Sequence, residues 1–218
     1  MRRTTDRLFA IGISLIMLAA PTLAADAALP YYDSPEFTPR WITADSDVPQ
    51  AFHRIPDFSF TNQDGRVIDE REIAGRVYVA SFFFSTCPGI CPAIRSKLAM
   101  VQARFIDEDG VRILSHSIRP STDTVEVLQA YAADNDVVSG KWHLLTGDRD
   151  SIYALATDAY FANEDLGAVR SAEDFLHTEN LLLIDTDRRI RGVYNGLSVS
   201  SVNHLIGDIE TLLAEDSD

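Results

Sequence analysis

Cysteine is nearly absent: two occur in 218 residues, at positions 87 and 91. Any disulfide or thiol chemistry therefore has a single pair to work with. A bridge between them would close a very short loop and remove little unfolded-state entropy, so a purely structural staple is a poor use of that spacing. Basic residues are also scarce, 19 Lys and Arg against 33 Asp and Glu, for a formal charge of −14. Phosphate binding needs a basic surface, so a nucleic-acid role is excluded and the charge reads as a solubilising shell. No internal repeat, phosphate-cradling glycine loop or Ser-His-Asp order is present. What remains is 46% hydrophobic, enough for one domain of ordinary size with extras.

The longest apolar run near the N-terminus covers residues 8–20, following Arg2, Arg3 and Arg7 and broken by Pro21, with Thr22, Ala24 and Ala25 behind it. This is the three-part layout of a secretory signal peptide, with cleavage expected after Ala24 or at 25–27. The rival is an uncleaved anchor, although the run falls short of the roughly 20 residues that span a bilayer. Residues 1–27 are thus expected to be a signal peptide or N-terminal anchor. The rest is then exported and extracytoplasmic (periplasmic), either soluble or tethered to the inner membrane. Residues 28–55 carry Pro30, Pro35, Pro39 and Pro49 with few apolar runs, which predicts a proline-rich linker or irregular arm.

Residues 56–215 form the expected domain. Two short β-like segments flank Asp64-Gly65, a hairpin signal. Residues 77–84 (VYVASFFF) predict a long buried strand, and 92–105 a helix with Ile94, Leu98, Val101 and Phe105 on one face. A strand at 111–118 follows, then a helix through Val125, Leu128 and Tyr131 with Asp123 as its cap. Next come a strand at 142–145, a helix carrying Ile152, Leu155 and Ala156, and a polar loop over 163–173. Strands at 181–185 and 190–194 make a second hairpin, and a helix through Val202, Leu205, Ile209 and Leu212 closes the chain. The order predicts an α/β fold: a mixed central sheet with helices on both faces and an N-terminal β-hairpin.

The two thiols fall where the first long strand gives way to a helix, whose unpaired N–H groups and positive dipole end favour thiolate. In open α/β sheets, ligands collect at the carboxyl ends of parallel strands. A late strand antiparallel to residues 77–84 would start at that same edge, which makes His177 a candidate to face Cys87 and Cys91. Two thiolates and an imidazole suit Cu(I), or zinc with a further ligand. The alternative is an exposed loop histidine. His116, inside a strand heading for the same edge, is the rival ligand, with a satisfied half-buried histidine as its plainer reading. His143 is expected to pack, and His53 and His204 to be solvated.

Taken in order, FSFTNQDGRVID, FFFSTCPGICPAIRSKLAMVQ, ILSHSIRPSTDTVEVLQAYA, WHLLTGDRDSIYALA and FLHTENLLLIDTDRRIRGVYNG resemble the Sco/SenC copper-chaperone family. The similarity runs from about Pro56 to Leu213. Its motif is Cys-Pro-x-x-Cys-Pro at 87–92 with a downstream histidine, His177, before Leu183-Ile184-Asp185. The resemblance implies a thioredoxin-like domain that binds one copper ion, Cu(I) or Cu(II), through Cys87, Cys91 and His177. It implies a metallochaperone, not an enzyme, that delivers copper to the dinuclear copper site of cytochrome c oxidase or reduces that site's cysteines. The partners it implies are the oxidase's copper-site subunit or another copper protein, an upstream copper donor and a thiol reductant. One position departs from the family: the turn Ser117-Ile118-Arg119-Pro120 has Arg119 where an acidic residue is common.

The alternative is an extracytoplasmic thiol–disulfide oxidoreductase working through the redox-active pair Cys87 and Cys91, one thiolate attacking and the other resolving. Three residues between the cysteines, where thioredoxins have two, argue mildly against it.

Overall fold

The fold comes from a computed structural model that describes residues 29–42, 48–49, 51–162 and 179–215. The chain enters the domain through a hairpin, β1 (Ser59–Asn62) and β2 (Val67–Asp69). Gly65, at φ +72°, takes the left-handed turn position. The Asn62 side chain closes the turn, accepting from the N–H groups of Asp64 (3.0 Å) and Arg66 (2.9 Å). A single helical turn, α1 (Glu70–Ile73), is capped by Asp69.

Three parallel strands follow: β3 (Val77–Phe83), β4 (Val111–Ser117) and β5 (Trp142–Thr146). Every residue in them is buried, as parallel strands covered on both faces require. They alternate with α2 (Cys91–Arg104), α3 (Val125–Asp134) and α4 (Arg149–Ala154), the last running into a π-helical turn over Leu155–Ala159. The antiparallel pair β6 (Asn180–Ile184) and β7 (Ile190–Asn195) and the helix α5 (Val199–Glu215) complete the chain. The sheet order is β2-β1-β5-β4-β3-β6-β7, a seven-stranded mixed sheet as expected.

Alternation along β3 assigns the two faces. Ser81 and Phe83 point to the side of α2 and α3, where Ile94, Leu98 and Tyr131 pack over Ser115, Trp142 and Leu144. The Tyr194 hydroxyl donates to Asp208 (2.6 Å), which ties β7 to α5. Tyr78 and Phe82 point the other way, against Tyr160 beyond the π turn. Ile94, Leu98, Val101 and Phe105 are all buried, as the sequence periodicity predicts.

Two local expectations are corrected. Thr124, not Asp123, caps α3, accepting from the Val127 N–H. His53 is not solvated: its ring bonds the Ala159 carbonyl (2.7 Å) and stacks on Phe161 with centroids 4.4 Å apart. Part of the arm also lies on the domain. Tyr31 pairs with Arg40 and Tyr32 with Ile190 of β7. Buried Arg191 holds this segment down: it bonds the carbonyls of Leu29 and Pro30, stacks on Tyr31 and pairs with Asp185 and Glu215.

Candidate metal centre

Strands β3 and β4 end level, with Phe83 opposite Ser117 and the Ile118 N–H bonded to the Phe83 carbonyl (2.9 Å). The two chains leaving them are therefore held side by side. Asp123, fully buried, bridges them: it accepts from the Ser85 hydroxyl (2.5 Å), the Ser85 N–H (3.2 Å) and the Ser117 hydroxyl (2.5 Å). This brace fixes the short turn that delivers Cys87. Sequence reasoning missed it; the available signal was a serine just past β3, another at the last position of β4, and an acid six residues on.

Both cysteines are free, Cys91 buried and Cys87 half-buried. Each thiol acts on the other: Cys91 favours the Cys87 thiolate, and Cys87 disfavours ionisation of Cys91. The local sequence explains this. At the α2 N-terminus, Ile90 has no side chain to cap with and Pro92 has no N–H to satisfy. The backbone of Cys91 and of Gly89 instead favours a thiolate at Cys87.

The outcome is asymmetric. Burial opposes the Cys87 thiolate, but the Cys91 thiol, the two backbone N–H groups and the charge of Arg119 together hold its pKa below the ordinary thiol value. Burial, with the hydrogen bond to Cys87 added, pushes Cys91 up to about 12 despite help from the Phe84 backbone. The thiolate-favouring backbone at the helix end thus prevails at Cys87, whereas at Cys91 burial outweighs it in the metal-free protein.

Phe84 joins these parts. Its carbonyl accepts from the Cys87 N–H (3.2 Å), its backbone favours the Cys91 thiolate, and its ring carries the Arg119 guanidinium 4.1 Å from the centroid. The recess beneath Cys91, between α2, α3 and the sheet, has room for about one water molecule.

His177, the third predicted ligand, lies outside the described residues, as does the expected loop over 163–173. Among the described residues no three His, Cys, Asp or Glu side chains converge into a metal-holding group. The strand that follows His177 is described. β6 runs antiparallel to β3, Ala80 opposite Leu182, so its N-terminal end lies at the edge where β3 ends. There the Glu179 carbonyl accepts from the Gly196 N–H (2.8 Å), and a Cβ at Gly196 would stand 3.3 Å from Ile94 of α2. The chain emerging after His177 is thus tied to Gly196, which lies against the cysteine-bearing helix.

The rival histidine is directed elsewhere. His116 projects to the opposite face, among Phe58, Phe60, Phe82 and Tyr160. It is wholly buried rather than half-buried, with its Nε2 unpartnered. Burial lowers its pKa to about 4. His143 packs as expected, beside Asn62 (3.2 Å).

The sequence profile of the SCO1/SenC family matches residues 46–214. This chain belongs to the SCO1/SenC family. It is 26% identical over 164 residues to a SCO1 protein homolog of Bacillus subtilis, covering 73% of this chain and 82% of that one. The structure is similar to that of BsSco, a member of the Sco family of cytochrome c oxidase assembly proteins in which a disulfide switch was identified. The TM-score is 0.63 at 25% identity, over 73% of this chain and 93% of BsSco. Bradyrhizobium japonicum ScoI, solved with copper bound, shares the fold at a TM-score of 0.57 and 22% identity, over 72% of this chain and 98% of that one. The thioredoxin-like architecture is therefore that of the SCO1/SenC family, whose members have been crystallised with copper.

Proposed function

We propose that this chain is an exported copper-binding metallochaperone. It holds one copper ion through Cys87, Cys91 and His177, and either delivers it to the dinuclear copper site of cytochrome c oxidase or reduces the cysteines of that site. The observation that carries this reading is the thiol pair at the α2 N-terminus, with the chain that follows His177 re-entering the sheet at the same edge.

The donor set fits copper as cargo. Two thiolates and a neutral imidazole form a soft site that suits Cu(I). Cys87 is the more acidic thiol and Cys91 holds its proton, so loading displaces a proton from Cys91. Acid then favours release by re-protonating that thiol. Half-buried Cys87 is the ligand a recipient reaches first, so transfer proceeds by ligand exchange at its sulfur. Residues 1–27 act as signal peptide or anchor, and 56–215 as the copper-carrying domain. Among the described residues no helix is long and apolar enough to cross a membrane.

Copper titration of the wild type and of Cys87→Ser, Cys91→Ser and His177→Ala tests this reading. One equivalent in the wild type, with weakened binding in all three variants, is expected. Unchanged Cu(I) and Cu(II) binding in His177→Ala would remove that residue from the site.

A second reading is favoured by the thiol asymmetry itself. An accessible, acidic Cys87 beside a buried, proton-holding Cys91 is the pattern of an attacking and a resolving thiol. An extracytoplasmic thiol–disulfide oxidoreductase would turn over disulfides quickly in metal-free protein whether or not His177 is present.

A further inference from the structure

Cys87 stands at the end of a four-residue turn that is pinned from inside the domain. The Cys87 N–H donates to the Phe84 carbonyl (3.2 Å), which closes the turn Phe84-Ser85-Thr86-Cys87. Ser85, at the second position, gives both its N–H (3.2 Å) and its hydroxyl (2.5 Å) to Asp123. Around the thiol the chain is open to solvent: Thr86, Pro88 and Gly89 are exposed. A Cβ on Gly89 would lie 4.0 Å from the Cys87 Sγ, so the sulfur rests against the chain that leads on to Cys91. Asp123 itself is wholly buried and also accepts from the Ser117 hydroxyl (2.5 Å). A carboxylate is costly to bury, and neither neighbouring element requires this one. The β3 and β4 ladder is complete without it, with the Ile118 N–H on the Phe83 carbonyl beyond the last pair, and α3 is capped by Thr124. What Asp123 adds is the fixing of Ser85, two residues before a thiol.

We propose that Asp123 is a positioning residue for the thiol pair. Through Ser85 it presets where Cys87 stands relative to Cys91, and so sets how tightly one soft ion is gripped by both sulfurs. Applied to copper, the inference rests on the function proposed above; applied to the spacing of the two sulfurs, it does not.

The effect is one of pre-organisation. Cys91 is placed by the first turn of α2, whereas Cys87 precedes the helix on an exposed stretch. With the turn pinned at Ser85, an ion bound to Cys91 meets the second sulfur already in place. Without the pin, the ion must order the turn as it binds, and that lost chain entropy is subtracted from its affinity. A probe that bridges two sulfurs feels the loss whatever its own chemistry.

The test compares wild type with Ser85→Ala, Asp123→Asn, the double variant, and Arg191→Ala as a destabilised control whose contacts lie in the arm. Asp123→Asn keeps the shape but has one accepting oxygen for three donors, and Ser85→Ala keeps only the backbone bond. Reduced, metal-free protein is titrated with phenylarsine oxide, whose arsenic bridges two thiols with loss of one water. Cu(I) affinity is measured separately against a chromophoric Cu(I) chelator. Asp123→Asn should weaken both probes on the order of tenfold, the entropy of about one ordered residue. Ser85→Ala should weaken them less, and the double variant no more than Asp123→Asn alone, because the two residues act through one contact. Arg191→Ala should match the wild type with both probes. Unchanged binding in Asp123→Asn, or an equal loss in Arg191→Ala, overturns the proposal. If Asp123→Asn does not fold, Ser85→Ala decides, and wild-type binding of both probes there overturns it. A wild type that takes phenylarsine oxide but no copper removes the copper function and leaves the arsenical series to decide; one that takes neither overturns both.

Discussion

The Asp123 carboxylate and the Ser85 hydroxyl meet at 2.5 Å across the ends of two parallel strands. This contact sets the turn on which Cys87 is presented. Neither residue touches the thiols through any contact described above, so their effect on the site is indirect.

Replacing Asp123 by Ala leaves the buried Ser117 hydroxyl and the half-buried Ser85 hydroxyl and N–H without their acceptor. The expected loss is about 3 kcal/mol of stability, read from urea unfolding of metal-free protein. A midpoint within error of the wild type contradicts the brace.

Acidity and exposure rank the cysteines the same way. Brief treatment with iodoacetamide at pH 7.5 should alkylate Cys87 at least about tenfold faster than Cys91, as read by peptide mass spectrometry. Equal labelling, or Cys91 first, would reverse the assigned roles.

His116 makes stability depend on pH. Its folded pKa, lowered by burial to about 4, lies below the unfolded value near 6.5. The unfolded chain therefore binds more protons between those values. The contribution is fully present above 6.5 and is lost as pH falls toward 4, and at about 1.4 kcal/mol per pH unit it amounts to about 3 kcal/mol. His116→Phe should flatten the stability profile over that window relative to the wild type. Parallel profiles would show that His116 titrates normally.

Arg191 governs the arm. Arg191→Ala frees the carbonyls of Leu29 and Pro30 and the face of Tyr31. Limited trypsin digestion should then cut after Arg40 sooner than in the wild type, with about 3 kcal/mol of stability lost because Asp185 keeps a buried, unpaired charge. Unchanged cleavage would mean the arm is held by its backbone bonds alone.

Most of the fold was legible because β3 and β6 are mostly apolar runs, β4 carries an apolar Ile113-Leu114 centre, and the core-facing residues of α2 recur at helical spacing. The Cys87 and Cys91 turn was legible for the same reason: a strand ended and a helix began. Asp123 was misassigned because an acid just before a helix reads locally as a cap, whereas its real partners come from strand ends that only the parallel register brings together. His53 was misread because its partner Ala159 lies 106 residues away. The split between the two thiols was illegible for a similar reason, since it depends on burial and on Arg119, 32 residues beyond Cys87.

X-ray absorption at the copper edge of the Cu(I)-loaded protein tests the central claim most directly. Two sulfur scatterers and one nitrogen are predicted, with the nitrogen lost in His177→Ala and one sulfur lost in each cysteine variant. A first shell that keeps its nitrogen without His177, or that holds fewer than two sulfurs in the wild type, would contradict the three-ligand site.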